Sequence, residues 1–337
     1  MGRDLAAARD RRRLGPDRAR DLPPRRAVRE EARKAEAVGM IAVRQVESNA
    51  DLDAWIAVRR RVLPNEPATT KEQMRALEAP ARLLLLAELD GELAGSGLAD
   101  RSQTGGAYVA PRILPKHRRR GVGSAVLERS LEHARASGFE SAVAHAEEPG
   151  AIEFAHHHGF AESDREVEQV RVVSAEPDAP PYDGVVFSSV AADATLLERA
   201  YGIAHQGYAD LALATGGIVV PLEEWLRDEA TLPGGSIVAL DGEDVVGYAG
   251  LLAWNDDGTR AENGLTAVDR AWRRRGLATA LKRRQLAWAA ANGIRELITW
   301  TQTGNEGMRS VNEQLGYVTR TISLRMRREL VATPPAE

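Results

Sequence analysis

Two short basic turns, at residues 118–121 and 273–276, are the parts of the sequence best suited to chemistry. Both read Arg-Arg-Arg-Gly, and each stands between a strand-like run and a helix-like run. A glycine at such a turn lets the backbone approach a ligand closely, and the free amides of the helix's first turn attract an anion. Neighbouring guanidinium groups add positive charge. The sequence therefore predicts two cradles for a pyrophosphate group.

The residues assigned to these cradles extend from the preceding strand into the following helix. The first cradle comprises Ile113, Arg118, Arg119, Arg120, Gly121, Val122, Gly123 and Ser124. The second comprises Val268, Arg273, Arg274, Arg275, Gly276, Leu277, Ala278 and Thr279. Neither copy has the three-glycine fingerprint of a dinucleotide site or the Gly-Lys-Ser/Thr of a phosphate loop, so NAD and ATP are poor candidates.

Three landmarks recur in the same order about 155 residues apart, which indicates an internal duplication. They are the basic turns, the segment Leu-Asp-Gly-Glu at 89–92 and 240–243, and His-Gly-Phe at 158–160 matched by Leu-Gly-Tyr at 315–317. Each Leu-Asp-Gly-Glu lies between apolar runs and predicts a β-hairpin with an Asp-Gly turn. Each copy is then a strand, one or two helices, a hairpin, and alternating strands and helices, which is an α/β domain with a mixed sheet.

The chain divides into a basic tail, two domains and a linker. Residues 1–39 contain few large apolar side chains, so we expect a disordered tail or an extension that precedes the natural start at Met40. The first domain is expected at 40–173 and the second at 185–330. Between them, residues 174–184 are rich in proline and acidic residues, as is typical of a linker.

The turns, together with a second landmark further along each copy, resemble the GNAT (GCN5-related N-acetyltransferase) superfamily. The superfamily pattern Arg/Gln-x-x-Gly-x-Gly/Ala fits both turns. It continues with an asparagine, a small apolar residue three positions later, often a tyrosine seven later, and Gly-Phe or Gly-Tyr eleven later. The second copy has Asn305, Met308, Asn312 and Gly316-Tyr317, and the first has Glu148, Ala151, Ala155 and Gly159-Phe160. Only the second copy keeps the asparagine, and neither keeps the tyrosine.

The resemblance implies two tandem acyl-CoA N-acyltransferase domains that transfer an acetyl group from acetyl-CoA to the amine of a small molecule or peptide. A carboxylate commonly deprotonates the amine, and Glu262 is the candidate because it lies on a strand before the second turn. Because the family's tyrosine acid is absent, the thiolate is expected either to leave unprotonated or to take a proton from Tyr317. Asn312, at the tyrosine's position, is grouped with the catalytic residues and is expected to hydrogen-bond the pantetheine arm. We expect the second copy to be catalytic and the first to be degenerate. The alternative is an acyl-CoA-binding sensor or scaffold without turnover.

Composition narrows the remaining possibilities. The 337-residue chain has no cysteine, so thiol catalysis and thiolate metal sites are excluded. Its net charge of −4 combines a basic tail with an acidic body, which argues against nucleic-acid binding. We predict no metal site, because His156, His157 and His158 point in different directions around a helix. With no long apolar run, a cytoplasmic protein without a membrane partner is expected, either monomer or homodimer.

Overall fold

Runs rich in Leu, Ile, Val and Ala form the strands of one mixed sheet, and helices cover both of its faces. The computed structural model describes residues 39–76, 81–102, 105–210, 220–254 and 256–330. The predicted tail, apart from its last residue, lies outside the described residues. From Ile41 onward the chain forms one compact unit.

The two halves of the described chain repeat one order of elements. The N-terminal half contains β1 (Ile41–Gln45), α1 (Asn49–Val62), α2 (Lys71–Ala76), β2 (Leu83–Leu89), β3 (Glu92–Arg101), β4 (Ala107–Val109), β5 (Arg112–Ile113), α3 (Val122–Ala136), β6 (Ser141–Ala146), α4 (Pro149–His157) and β7 (Ala161–Val172). The C-terminal half contains β8 (Val186–Ser189), α5 (Thr195–Asp210), α6 (Leu222–Asp228), β9 (Ile237–Asp241), β10 (Asp244–Ala253), β11 (Arg260–Val268), α7 (Leu277–Ala291), β12 (Glu296–Gln302), α8 (Glu306–Gln314) and β13 (Val318–Glu329).

Both predicted hairpins are confirmed. Strands β2 and β3 pair antiparallel around Asp90 and Gly91, whose φ angles of 55° and 79° suit a tight turn. Strands β9 and β10 pair in the same way around Gly242. The segment between Val172 and Val186 has no regular secondary structure, and the predicted linker lies there.

The last strand of each half joins the sheet beside the other half. The order of the strands is β1-β2-β3-β4-β6-β13-β7-β12-β11-β10-β9-β8, with β5 paired to β3. Strand β13 is therefore hydrogen-bonded to β6, where Met326 pairs with Ala144, and β7 is hydrogen-bonded to β12, where Gln169 pairs with Thr299. This reciprocal exchange makes one continuous sheet from two sequence repeats.

Two arginines on the exchanged strands reinforce this arrangement. Arg171 of β7 donates from Nε to the carbonyl of Leu315 at the end of α8, over 2.9 Å. Arg328 of β13 donates from Nη1 to the carbonyl of His158 at the end of α4, over 2.8 Å. Each arginine satisfies a helix-end carbonyl that belongs to the opposite half.

In each half, two neighbouring parallel strands separate part of the way along their length. Strands β4 and β6 pair only at Ala107 and Tyr108, and β11 and β12 pair from Arg260 to Glu262. Strand β11 continues beyond Glu262 without further pairing to β12, so an opening forms between the two strands.

Helices α5 and α7 lie on opposite faces of the sheet at this opening. A Cβ on Gly207 of α5 would lie 3.1 Å from the Cβ of Ala267, whereas the next residue, Val268, packs with Leu277 of α7. Neighbouring residues of a strand point to opposite faces, so the opening lies between α5 on one face of the sheet and α7 on the other. No helix among the described residues is both long and apolar enough to cross a membrane.

Candidate functional site

The two basic turns have almost the same backbone. Helix α3 begins after Gly121, with φ 85°, and α7 begins after Gly276, with φ 84°. In both turns the middle arginine, Arg119 or Arg274, also has a positive φ, 62° and 61° respectively. No side chain caps either helix. No side-chain cap therefore competes with an anionic ligand for the first-turn amides.

The first arginine of each turn fastens the turn to the preceding strand. Arg118 donates from Nε to the carbonyl of Ile113 over 3.2 Å, and Arg273 donates to the carbonyl of Val268 over 2.9 Å. Ile113 and Val268, both assigned to the cradles from sequence, are thus held at the turns. In the C-terminal half, the guanidinium group of Arg273 also pairs with the carboxylate of Asp210, at 2.6 Å.

Side chains crowd the N-terminal turn. The carboxylate of Glu148, which replaces the family's asparagine, lies 2.8 Å from the first arginine of the turn. A Cβ on Gly123 would lie 3.4 Å from the ring of Phe154, and Ser124 Oγ lies 3.0 Å from His158 Nε2. Arg120 pairs with Asp90 at 3.2 Å. Glu148 would have to release Arg118 before that arginine could contact an anion, just as Asp210 would have to release Arg273 in the C-terminal turn.

The C-terminal turn is slightly more open at its glycine, since a Cβ on the equivalent Gly121 would lie 3.3 Å from Cδ1 of Ile41. A Cβ on Gly276 would have no neighbour within 4 Å. Arg275 lies over the ring of Trp272, with its Cζ 5.3 Å from the ring centroid, and its carbonyl accepts a 2.8 Å hydrogen bond from Tyr182. Asn305 directly precedes α8 and its side chain makes no capping hydrogen bond. The remaining assigned residues, Leu277, Ala278 and Thr279, form the first turn of α7.

Behind the C-terminal turn, a polar network is buried between α7 and the sheet. Tyr317 donates its hydroxyl to Asn263 Oδ1 over 2.6 Å, and Asn263 donates to Gln285 over 2.9 Å. Gln285 in turn donates to the carbonyl of Gly250 over 2.8 Å. Burial raises the pKa of Tyr317. Lys282 lies over the Tyr317 ring, with Nζ 5.3 Å from the centroid.

A second buried polar group comes from α8 and the exchanged strand β7. Asn312 donates from Nδ2 to Gln169 Oε1 over 3.0 Å, and Thr301 donates to the same oxygen over 3.3 Å. Among the described residues, four buried polar atoms on the elements around the opening have no hydrogen-bond partner: Asn312 Oδ1, Gln169 Nε2, Thr266 Oγ1 and Lys282 Nζ. The other atoms of this kind belong to Arg82, Ser96, Arg112 and His117 of the N-terminal half. Such atoms are costly unless a ligand or water pairs with them.

The corresponding positions of the N-terminal half are apolar. Leu127 follows Gly121 by six residues, as Lys282 follows Gly276, and Ala155 and Phe160 correspond to Asn312 and Tyr317. Met326 pairs with β6 where Gln169 pairs with β12. All four belong to one buried apolar cluster. The interior of the N-terminal opening is therefore filled by its own side chains.

The opposite face of the C-terminal opening contains a carboxylate that sequence reasoning missed. Glu229 follows α6 and accepts a 3.1 Å hydrogen bond from the hydroxyl of Tyr248. Its Oε1 lies over two glycines, since a Cβ on Gly250 or Gly264 would come within 1.9 or 2.7 Å of it. Burial, and to a lesser extent the charge of Glu262, raises the pKa of Glu229 to about 7. The pair of glycines on adjacent strands was the available signal.

Glu262 lies at the point where β11 and β12 separate. Burial, followed by the charge of Glu168, raises its pKa to about 7. Glu168 is carried by the exchanged strand β7 and pairs with Arg320, which donates to its Oε2 over 2.8 Å. The N-terminal half thus contributes a charge to the C-terminal opening. The structure brings Glu229, Glu262 and Glu168 to one region, whereas Asn312 and Tyr317 lie with α7 and α8.

Comparison with known proteins identifies the family. The model of the acetyltransferase (GNAT) family matches residues 49–160 and again 205–317. Mycothiol acetyltransferases of a Nocardioides species and of Clavibacter michiganensis are each 28% identical to this chain, over 63% and 77% of it and 77% and 86% of their own lengths.

Solved structures share the fold. A GCN5-related N-acetyltransferase from Sphaerobacter thermophilus superposes with a TM-score of 0.70 at 17% identity, over 86% of this chain and 96% of its own. A tandem GNAT protein from the clavulanic acid biosynthesis pathway gives 0.66 at 20% identity, over 88% and 100%. With a family match in both halves and over more than half of its length, the chain belongs to the acetyltransferase (GNAT) family and is an N-acetyltransferase whose co-substrate is acetyl-CoA.

Proposed function

We propose that the C-terminal half binds acetyl-CoA and transfers its acetyl group to an amine, while the N-terminal half completes the site without catalysing a reaction of its own. One observation supports this division above the others. Behind the C-terminal turn, Lys282, Asn312 and Gln169 carry buried polar atoms without partners, whereas the equivalent residues of the N-terminal half, Leu127, Ala155 and Met326, belong to an apolar cluster.

The residues around the C-terminal turn fit acetyl-CoA. The first-turn amides of α7 and the neighbouring arginines 273–275 would hold the pyrophosphate. The unpaired atoms of Asn312, Gln169, Thr266 and Lys282 would face the amide-containing pantetheine arm. When bound, acetyl-CoA supplies the thioester from which the acetyl group is transferred and the thiolate that leaves.

Glu262 is proposed as the general base. An alkyl ammonium has a pKa of about 10 and must lose a proton before it can attack. A carboxylate with a pKa of about 7 is well matched to accept that proton near neutral pH. Glu229 is anchored by Tyr248 and is proposed to attract and orient the cationic amine rather than to remove its proton.

Proton delivery to the thiolate needs no dedicated acid. A thiol has a pKa of about 8.5, so the thiolate can leave unprotonated and take its proton from water. Tyr317 already donates to Asn263, and burial raises its pKa, so we propose that it positions the polar network instead of acting as the acid. Asn312 is proposed to hold the pantetheine arm.

The acceptor is proposed to be a small-molecule or peptide amine. The carboxylates Glu229, Glu262 and Glu168 favour an amine that arrives as a cation. The curated relatives are mycothiol acetyltransferases. The acceptor amine of those enzymes therefore belongs in a screening panel, together with polyamines and peptide amines. A cytoplasmic location stays a prediction, as does the choice between monomer and homodimer. Family membership favours turnover over the sensor alternative.

A matched pair of substitutions tests the assignment of the halves. Ala278→Glu and Gly123→Glu each place a carboxylate in the first turn of a helix, where it favours helix stability but repels a pyrophosphate. With the amine panel and a thiol-release assay, Ala278→Glu is expected to lower kcat/KM for acetyl-CoA by about 100-fold or more, because several charge-assisted contacts are lost. Gly123→Glu is expected to change it by less than about threefold.

Two results would oppose the proposal. An equal loss in both variants would mean that both halves bind acetyl-CoA productively. Tight acetyl-CoA binding without thiol release from any amine would favour the sensor. Thermal denaturation of both variants controls for folding.

A further inference from the structure

Lys282 is a buried cation without a partner. It lies in the middle of α7, is 1% exposed, and its Nζ has no hydrogen-bond partner. Burial lowers its pKa to about 7. A buried ammonium normally requires a compensating anion or acceptor. The ring beneath Nζ, that of Tyr317 from the segment before β13, is neutral, and its hydroxyl is linked through Asn263 of β11 to Gln285 of α7.

The position of Lys282 relates it to the opening. The ring beneath Nζ belongs to Tyr317, whose hydroxyl donates a hydrogen bond to Asn263. Asn263 is the first residue of β11 beyond the parallel pairing with β12. The Tyr317 amide also donates to the carbonyl of Asn312 over 3.0 Å, which joins this network to the group containing Gln169. Lys282 therefore belongs to a set of polar side chains that lines the opening from α7, α8, β11 and β7.

The unpaired atoms of this set have a definite chemical character. Lys282 Nζ and Gln169 Nε2 are donors, Asn312 Oδ1 is an acceptor, and Thr266 Oγ1 can be either. A chain that carries carbonyl oxygens and N–H groups in succession would satisfy all four. Lys282 comes six residues after Gly276, so it lies about 9 Å along α7 from the cradle. An extended ligand anchored at the cradle can reach it.

The N-terminal half shows that this fold does not need a polar residue here. Leu127 occupies the equivalent position and is buried with Ala155, Phe160 and Met326. A lysine in place of leucine, at a site where it has no partner, is costly for stability alone. Its presence in one half only is explained by a ligand that binds in that half.

We propose that Lys282 is a specificity-determining residue that donates a hydrogen bond from Nζ to a carbonyl oxygen of the acyl-pantetheine chain, in a polar pocket that Gln169 of the exchanged strand completes. The proposal rests on the proposed binding of acetyl-CoA by the C-terminal half. The oxygen belongs either to a pantetheine amide or to the acyl group.

A hydrogen bond from Lys282 to the ligand should cause the protein to take up a proton when acetyl-CoA binds. With a pKa of about 7, Lys282 is largely neutral at pH 8 in the free protein. An oxygen acceptor favours the ammonium form, so binding should take up as much as one proton per site at pH 8. At pH 6 the amine is already protonated, and the uptake due to Lys282 should vanish.

Titration calorimetry on the full chain tests this without relying on turnover. Acetyl-CoA, CoA and adenosine 3′,5′-bisphosphate, which lacks the pantetheine arm, are titrated at pH 8 in two buffers of different ionisation enthalpy. Acetyl-CoA is expected to show a proton uptake that the bisphosphate does not. Lys282→Met is expected to remove that excess uptake and to weaken acetyl-CoA binding by about 10- to 100-fold, while the bisphosphate binds as before.

The separate ligands distinguish the two oxygens. Equal weakening for CoA and acetyl-CoA assigns the contact to a pantetheine amide, and weakening for acetyl-CoA alone assigns it to the acyl group. Glu262→Gln should retain the uptake that belongs to Lys282. Lys282→Leu provides a second variant, and Leu127→Met is the matched control in the N-terminal half.

The inference fails if wild-type protein binds acetyl-CoA with no more proton uptake than the bisphosphate, a result that depends on no variant. It also fails if Lys282→Met binds acetyl-CoA as tightly as wild type. Absence of acetyl-CoA binding to the wild type is a different result, because it overturns the proposed function itself.

Discussion

The two basic turns are nearly superimposable in backbone conformation, yet the side chains behind them differ in kind. Behind Gly276 lie a lysine, a threonine, an asparagine and a glutamine, each with one buried polar atom that has no partner among the described residues. Behind Gly121 the equivalent positions form part of an apolar core. A repeat can therefore retain the backbone conformation that suits phosphate binding and still lack the buried polar side chains that we propose for binding the acyl-pantetheine chain. The turn motif alone does not identify an active site.

The exchanged strands, β7 and β13, mean that each half contributes residues to the opening of the other half. Gln169 and Glu168, which reach the C-terminal opening, are encoded in the N-terminal half. Met326, which helps to fill the N-terminal opening, is encoded in the C-terminal half. The half that we propose to be non-catalytic still supplies residues to the proposed catalytic site, so we do not treat it as a separate relic.

The largest expected effect comes from removing the proposed base. Glu262→Gln should lower kcat by about 100- to 10,000-fold, because general-base catalysis commonly contributes that much. In the wild type, kcat should rise with pH up to about 7 and then level off, since Glu262 must be ionised to act. The variant should lose this acidic limb. A steady-state pH profile measures both effects.

A carboxylate of the N-terminal half provides the control. Burial raises the pKa of Glu147 as it does for Glu262, so Glu147→Gln removes a chemically similar group, whose one electrostatic link to the proposed site is the charge of Glu168. Its kcat is expected to stay within about twofold of wild type. Comparable losses in both variants would contradict the division of the halves. An acidic limb that persists in Glu262→Gln but vanishes in Glu229→Gln would assign the base to Glu229.

Much of the local structure followed from sequence because it depends on local pattern. The Asp-Gly hairpins, the glycine at the start of α7 and the placement of Glu262 on a strand all rest on residues close together in the chain. The strand exchange could not be predicted in this way. Strands β7 and β13 have the same length and lie in equivalent places of the repeat, so periodicity does not reveal which half either one joins.

The missed site residues have a similar explanation. Glu229 follows a short helix and reaches the site only because Gly250 and Gly264, on different strands, leave room for it. Lys282 did leave a local signal, since it interrupts the apolar face of α7 at a position where Leu127 stands in the other copy. Its significance becomes visible only when burial shows that it has no partner.

A smaller effect is expected from a reciprocal pair on the exchanged strands. Gln169→Met removes the partner of Asn312 and an unpaired donor of the pocket, so acetyl-CoA affinity should fall by about tenfold. Met326→Gln buries an amide among apolar side chains, so it should reduce the free energy of unfolding by about 2–4 kcal/mol with little effect on acetyl-CoA affinity. Calorimetry and denaturant unfolding measure the two quantities. Weaker binding in Met326→Gln alone would reverse the assignment.

The pH dependence of the free energy of unfolding should differ between a variant of Lys282 and the equivalent variant of Leu127. The pKa of Lys282 is about 7 in the folded protein and that of an unfolded lysine is about 10.4. The penalty of burying its charge is therefore complete below pH 7 and declines as the pH rises towards 10.4. Lys282→Met should stabilise the protein by about 2–4 kcal/mol at pH 6 and progressively less at higher pH.

The corresponding change in the N-terminal half is the reference. Leu127→Met exchanges two apolar side chains of similar volume and should alter stability by less than about 1.5 kcal/mol at every pH. Denaturant unfolding in the absence of ligand from pH 6 to pH 9.5 compares the two variants. A gain for Lys282→Met that does not change with pH would show that Lys282 stays charged in the folded protein up to pH 9.5, so that burial does not lower its pKa.

The smallest effect is expected from restoring the family's asparagine in the N-terminal half. Glu148→Asn removes the carboxylate that pairs with Arg118, an exposed ion pair whose loss should cost less than about 1 kcal/mol. Leu127, Phe160 and Met326 still fill the interior behind the turn, so the variant should bind one acetyl-CoA per chain, as we expect for the wild type. Titration calorimetry measures the number of acetyl-CoA molecules bound per chain. Two sites in the variant would mean that Glu148, and not the apolar interior, is what separates the two halves.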